Sequence, residues 1–203
     1  MKTERDRSGP GEVSVEDQEL TRLALRAAAG NRSAAEGFVS ATQHQLHRML
    51  GYLVEPRLAE DLVQETYLRA FAALPRYAAR CPARMWLLAI ARRVAADHLR
   101  TRRRRPQHAR TPDWAWAAER AGAAEPDHGR LVELRRLVAE LPPERREPFV
   151  LTQVLGLSYA EAALVCECAI GTIRSRVARA RQDLLAWLGP AGTGHPAAGE
   201  GRA

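Results

Sequence analysis

The chain has 203 residues, 46% of them apolar but only 5% aromatic, with a formal net charge of +7 and a pI near 10.1. Apolar content this poor in aromatics favours small helical domains over one thick core, and the basic balance predicts a polyanionic partner, nucleic acid before membrane. No apolar run reaches the roughly 20 residues of a membrane-spanning helix, and the polar N-terminal segment has no signal-peptide core, so the expected setting is the cytoplasm.

Residues 1–13 read as a disordered lead-in. Ser14 and Asp17, at the capping spacing, start a first helix that carries Leu20, Leu23, Ala24 and Ala27. Ser33 and Glu36 form a capping box for a second helix, with a stripe of Phe38, Thr42, Leu46, Met49 or Leu50, and Leu53. His44 and His47 lie three apart on it without a third ligand, and read as a solvated face. Pro56 suits the first turn of a third helix over 56–73. Leu58 or Ala59, Leu62 or Val63, Thr66, Ala70 and Leu74 point inward. Asp61, Gln64, Glu65 and Leu68 fall at i, i+3, i+4 and i+7 and share the outward face. An acidic face with a leucine on a basic protein hints at a protein partner; the alternative is a plain solvated face. Pro75 to Cys81 breaks the pattern. A fourth helix runs from Pro82 to about Arg103, with Trp86, Leu87, Ile90, Val94 and Leu99 toward the core. Arg92, Arg93, Arg100 and the run Arg102 to Arg105 give it a basic surface. These four helices make one domain, residues 14–105.

Residues 106–129 hold prolines and glycines without periodicity and read as a flexible linker, with Trp114 and Trp116 unusual in such a segment. A second domain covers 130–188. Leu131, Leu134, Val138 and Leu141 give one helix, which Pro142 and Pro143 end; residues 148–155 give another. Ser158 and Glu161 then cap a short helix with a small apolar face of Ala162, Ala163, Val165 and Cys166. The last helix, 169–188, has its stripe at Ile170, Ile173, Val177, Ala180, Leu184 and Leu188, while Arg174, Ser175, Arg179 and Gln182 lie off it. Helix, tight turn and second helix is the helix-turn-helix order, and an arginine and serine face suits the DNA major groove. The alternative is the solvated basic face of a bundle helix. Cys166 and Cys168 are placed too awkwardly in a helical turn to bridge, and no companion Cys/His pair stands near, so two packed thiols are expected and no metal or cofactor site. Residues 189–203 read as a disordered tail.

The fold class is therefore all-α: two small helical domains joined by a flexible linker. No nucleophile–base pair, carboxylate pair or phosphate-cradling loop is evident, so the chain reads as no enzyme and no catalytic residue is assigned. A stand-alone regulator that dimerises on palindromic half-sites stays open as a competing class.

The stretch AEDLVQETYLRAFAALPRY (59–77), followed by ARMWLLAIARRVAADHLRTRRRR (83–105), resembles region 2 of the sigma-70 superfamily. The stretch LPPERREPFVLTQVLGLSYAEAALVCECAIGTIRSRVARARQDLL (141–185) resembles region 4. Two such blocks with a short linker and no region 3 domain resemble an extracytoplasmic-function (ECF) sigma factor, in wording nearest the actinobacterial SigC-type group. The resemblance spans about residues 15–188. It implies a subunit that binds core RNA polymerase, directs transcription initiation at −35 and −10 promoter elements and helps open the −10 region. Asp61, Gln64 and Glu65 match the segment that grips the β′ clamp helices, with Leu68 beside them and Leu62 inward. The first helices of region 4, near Leu151, Val154 and Leu155, would sit on the β flap. The family pattern turns Arg174, Ser175 and Arg179 toward −35 bases and gives phosphates to Thr172 and Arg176. The loop at about 76–83 would capture an unstacked −10 base, with Arg76, Tyr77 and Arg84 around it and Arg92, Arg93 and Arg100 on the strand backbone. Trp86 would stack on DNA or pack in the core. Many members are held by an anti-sigma factor; docking of the first domain on the second would hide both DNA surfaces by another route. The free chain is expected to be a monomer. Three residues depart from the pattern: Glu167 stands where the turn usually has glycine, Arg93 where asparagine is usual, and Ala162 where a larger aliphatic is usual.

Overall fold

A computed structural model describes residues 14–104 and 128–188. Over these residues all regular structure is helical. The Ser14 hydroxyl accepts the Asp17 N–H at 3.1 Å and starts α1, Val15–Ala28. Helix α2, Arg32–Leu53, is capped by Asn31, whose Oδ1 accepts the Ala34 N–H at 2.9 Å. The expected Ser33–Glu36 box does not form. Gly30, at φ 88, brings the chain round one step earlier and puts Asn31, an equally good cap, at the helix start. Glu36 pairs with Arg32 instead, at 3.0 Å.

A 3₁₀ turn, Pro56–Leu58, precedes α3, Ala59–Ala73. A second 3₁₀ turn, Leu74–Arg76, and a loop over 77–82 lead to α4, Ala83–Arg104. After the segment outside the described residues come α5, His128–Glu140, and α6, Pro143–Phe149. The helix expected over 148–155 thus starts five residues earlier, at Pro143, whose missing N–H is no loss in a first turn. Pro148 falls inside it and offers no N–H to the carbonyl four residues back. The chain then widens into a π turn, Val150–Val154, where the Leu155 N–H reaches the Val150 carbonyl at 3.0 Å. Helices α7, Tyr159–Cys166, and α8, Ile170–Leu188, complete the order.

Helices α1 to α4 bury Phe38, Leu46, Met49 and Leu50 of α2 against Leu62, Val63 and Ala70 of α3. Each fully buried side chain of this size contributes about 1.5–3 kcal/mol. Thr42 and Thr66 are buried too, their hydroxyls donating to the Phe38 carbonyl at 2.7 Å and the Leu62 carbonyl at 2.6 Å. In the second group, Leu137, Val138, Leu141, Val150 and Leu151 pack with Ala162, Val165, Ile173, Val177 and Ala180. Three expected core positions, Leu134, Ile170 and Leu188, are exposed because they sit at the edge of α5 or at the ends of α8.

Helix α4 is buried over a wide arc: Met85, Leu87, Leu88, Ile90, Ala91, Val94 and Ala95 are all buried. The reason is that α7 packs on it, and a single apolar cluster runs through both helix groups. Polar contacts reinforce this junction. The Arg146 guanidinium donates to the Leu53 carbonyl at 3.2 Å, and the Arg135 guanidinium lies 5.5 Å from the Tyr52 ring centroid. The two expected domains are therefore docked on one another. The linker residues 106–127, with Trp114 and Trp116, lie outside the described residues, as do the ends 1–13 and 189–203. Among the described residues no helix is long and apolar enough to cross a membrane.

Candidate nucleic-acid interface and partner face

Helix α3 presents the outward face its spacing requires. Asp61 and Gln64 are exposed, and Leu68 is 68% exposed, a large apolar side chain held in water. Glu65 is less available: its Oε1 lies 2.7 Å from Arg69 Nε, and Arg69 Nη1 reaches Asp97 Oδ2 of α4 at 2.7 Å. Hydrogen bonds to Asp97 and Glu65 raise the Arg69 guanidinium above its usual value. One residue beyond the sequence reading joins this face. Phe71 is exposed, stacks on Tyr67 with centroids 6.2 Å apart, and helps line a groove with Val39 and Gln43 of α2. Its i+3 spacing from Leu68 was the available signal.

The loop over 77–82 is a shaped turn. Tyr77 is buried, its hydroxyl donates to the Cys81 carbonyl at 2.6 Å, and its ring lies 4.8 Å from that of Trp86. Burial raises the Tyr77 phenol. Ala79 sits in the left-handed region at φ 51. Arg76 and Arg80 are exposed at the rim. Arg84 is turned inward: its Nε donates to Gln45 Oε1 at 2.9 Å and its Nη1 lies 3.8 Å from Asp17 Oδ1. So of the three side chains assigned around this loop, Arg76 faces solvent, while Tyr77 and Arg84 build the wall. Trp86 is half-buried against the core.

The basic surface of α4 is divided. Arg92 Nε lies 2.7 Å from Glu147 Oε2 of α6, and Arg93 bonds Glu167 in the turn between α7 and α8. Burial works against the Arg92 charge, but Glu147 outweighs it and holds the guanidinium above its usual value. Arg100 is exposed and, among the described residues, paired with Asp97 one turn back.

Helix α8 is positioned by α7. Ser158 accepts the Glu161 N–H at 3.2 Å while Glu161 Oε2 accepts the Ser158 N–H at 2.7 Å, a full capping box. Glu167 ends α7 at φ 54, ψ 45. Its N–H returns to the Leu164 carbonyl at 3.3 Å and the Cys168 N–H to the Ala163 carbonyl at 3.2 Å, which is a Schellman closure. The turn therefore has the left-handed geometry that glycine usually supplies. Cys166 is buried beside it, and burial pushes its thiol up to about 12. With Ile173, Val177, Ala180 and Leu184 buried, Arg174, Ser175 and Arg179 face solvent; Thr172 and Arg176 are half-buried at the flanks. Ser175 donates to the Thr172 carbonyl at 3.0 Å, and among the described residues Arg174, Arg176 and Arg179 have no carboxylate partner. Arg181 is tied to Gln153 at 2.7 Å. Of the apolar residues assigned to a partner surface near α6, Leu151 is fully buried, and Val154 and Leu155 are half-buried. His44 and His47 are exposed, and among the described residues no group of three or more potential ligands could hold a metal.

Residues 38–105 match the family described as Sigma-70 region 2, and residues 131–184 the family described as Sigma-70, region 4. Over 176 residues the chain is 51% identical to the ECF RNA polymerase sigma factor SigC of Mycobacterium tuberculosis, covering 86% of this chain and 94% of that protein. It is 30% identical to the RNA polymerase sigma-H factor of Pseudomonas aeruginosa, covering 86% of this chain and 95% of the relative. Among solved structures, CnrH in complex with the cytosolic domain of CnrY matches with a TM-score of 0.66 at 26% identity, covering 84% of this chain and 97% of that one. The sigma factor RpoE of Bartonella quintana, in complex with the anti-sigma factor NepR, matches at 0.60 and 28% identity, covering 75% and 95%.

Proposed function

We propose, from the premise that this chain belongs to the sigma-70 family as an ECF RNA polymerase sigma factor, that it docks on core polymerase through α3 and aims it with two separate DNA-reading surfaces. The observation that carries the reading is the face of α8. Arg174, Ser175 and Arg179 are presented opposite a fully buried stripe, on the second helix of a helix-turn-helix, with no internal carboxylate among the described residues to neutralise the arginines. Such arginines can pair with guanine O6 and N7 in the major groove, each bidentate pair worth about 1–3 kcal/mol of discrimination. Thr172 and Arg176, at the flanks, hold phosphates of the −35 element.

The −10 element falls to the first domain. An unstacked base enters the loop over 77–82, with Arg76 and Arg80 at its rim. Arg92, Arg93 and Arg100 follow the strand backbone along α4. Tyr77 and Arg84 act here as the wall of the pocket. Unpairing costs a few kcal/mol per base, which contacts with polymerase and strand must offset. Asp61, Gln64 and Glu65 meet cationic side chains of the β′ clamp helices, with Leu68 supplying apolar area. The half-buried Val154 and Leu155 lie nearest the β flap side, whereas Leu151 stays in the core. The chain acts in the cytoplasm as a non-catalytic subunit: the polymerase makes the phosphodiester bond. A partner protein that covers α3 and α4 would act as an anti-sigma factor.

Run-off transcription with purified bacterial core polymerase on a library of promoter fragments tests this. The wild-type chain should start transcripts from a defined subset. Asp61→Ala with Gln64→Ala, and separately Arg174→Ala, should each lose at least about tenfold, the weight of one good base or charge contact. A chain that binds duplex DNA but never redirects core polymerase would instead be a stand-alone regulator.

A further inference from the structure

Helix α1 precedes the stretch matched as region 2, which begins at residue 38. It nevertheless packs on α4 and on the Leu74–Arg76 turn, the two elements that bracket the loop over 77–82. One side chain makes the join. Thr21 donates its hydroxyl to the Asp17 carbonyl at 2.8 Å, and its Oγ1 accepts the Ala83 N–H at 3.1 Å. Ala83 is the first residue of α4, where backbone N–H groups have no partner within the helix. The preceding Pro82 has no N–H at all, so Thr21 caps α4 from another element.

The other end of the loop follows the Leu74–Arg76 turn, which packs on α1 as well. Tyr77 closes the loop by donating to Cys81. Between those two fixed points Ala79 holds a left-handed conformation, which an L-residue keeps only where the surroundings enforce it, and Ala78, Ala79 and Arg80 stand exposed. Beneath the loop, Asp17 is 3% exposed with Oδ1 free of any hydrogen bond, facing Arg84. Both ends of the loop are thus anchored on α1.

We propose that Thr21 is a positioning residue for −10 recognition: through its bond to the Ala83 N–H it sets the mouth of the 77–82 loop and so the choice of base admitted there. This rests on the reading that the loop receives a −10 base. Thr21 itself touches no DNA.

The test is run-off transcription by reconstituted holoenzyme on two promoter panels, one with each −10 base replaced in turn and one with each −35 base replaced. Thr21→Val keeps the shape and removes the hydroxyl. It should flatten the ratio between best and worst −10 base by about three- to tenfold, the scale of one hydrogen bond. The −35 ranking should hold, the melting temperature should fall by only a few degrees for the lost cap on Ala83, and Thr21→Ser should restore both it and the −10 ratio. A −10 profile unchanged in Thr21→Val overturns the proposal, as does equal loss on both panels, which marks general destabilisation. Should Thr21→Val fail to fold, Thr21→Ala removes the same hydroxyl with less bulk; an unchanged −10 profile there overturns the proposal equally. Arg80→Ala separates the two levels. If it alters the −10 profile and Thr21→Val does not, the loop reads the base and Thr21 has no part in it. If neither alters the profile, the loop is no −10 reader and both readings fall.

Discussion

Glu167 holds the turn of the helix-turn-helix in a left-handed conformation that costs an L-residue about 1–2 kcal/mol and glycine almost nothing. Against that cost stands its bond to Arg93. Both side chains are more than half exposed, so the pair contributes about 0–1 kcal/mol. Glu167→Gly should therefore leave the melting temperature unchanged or raise it by up to about 8 °C, on the scale of 2–4 °C per kcal/mol for a chain of this size. Thermal melts followed by circular dichroism check this; a fall of several degrees would mean the pair outweighs the strain. The turn was legible only in its place: a glutamate where glycine is usual pointed to a different turn, yet the left-handed geometry is kept. The partner was not legible, because Arg93 lies 74 residues away in the chain. Two departures from the family pattern, unrelated in sequence, are bonded to each other in the fold.

At the level of elements, the C-terminal half of α4 forms a charged seam with the end of α2. Glu55 is buried, and burial alone would raise its carboxyl, but Arg102 and Arg57 outweigh it and hold it below the usual value. Asp97 is held low by Arg69 and then Arg100. His98, its Nε2 without a hydrogen bond, is lowered by burial and by the nearby Arg102. All three shifts act in one direction. The folded chain binds protons less readily than the unfolded chain, so stability is present above the unfolded values and is lost as pH falls. The His98 contribution declines below about pH 6.5, and those of Glu55 and Asp97 below about pH 4.5. The melting temperature should fall from pH 7 to pH 5.5, and His98→Gln should show a shallower fall; equal slopes would remove His98 from the account. Helix existence was legible from periodicity, but not type throughout: over 148–155 one helix was expected and a π turn stands at Val150–Val154. What failed was local. Ser33 and Asn31 compete for one cap, and the backbone of Gly30 decides between them. Pro148 looked like a helix start because proline suits a first turn, yet Pro143 already filled that role.

The largest feature that composition and periodicity could not supply is the docking of the two helix groups. Its contacts join residues tens of positions apart: Arg92 with Glu147, Arg93 with Glu167, Arg146 with the Leu53 carbonyl, Arg135 with Tyr52. Docking of the first domain on the second was one of the sequence expectations, in a form that hid both DNA surfaces. The arrangement found is one-sided. It engages Arg92 and Arg93 of α4 but leaves Arg174 and Arg179 of α8 exposed. If the −10 strand follows α4 as proposed, it must take those two arginines from Glu147 and Glu167, and the docked form and the −10-bound form would then compete for the same cations. A shift in this equilibrium changes apparent affinity by the fraction of chain that is competent. Glu147→Gln combined with Glu167→Gln removes both carboxylate charges and keeps similar side-chain volume. The free double variant should bind a single-stranded −10 oligonucleotide about three- to tenfold more tightly at low salt, since each pair contributes up to about 1 kcal/mol when partly solvated. The gain should shrink at 0.5 M salt, where screening weakens the pairs in the wild-type chain as well. Small-angle scattering should show a larger radius of gyration for the variant, while its affinity for duplex −35 DNA stays put. If the radius and the single-strand affinity both match the wild type, the two ion pairs do not hold the domains together, and the apolar contact of α4 with α7, with the Arg146 and Arg135 contacts, does so.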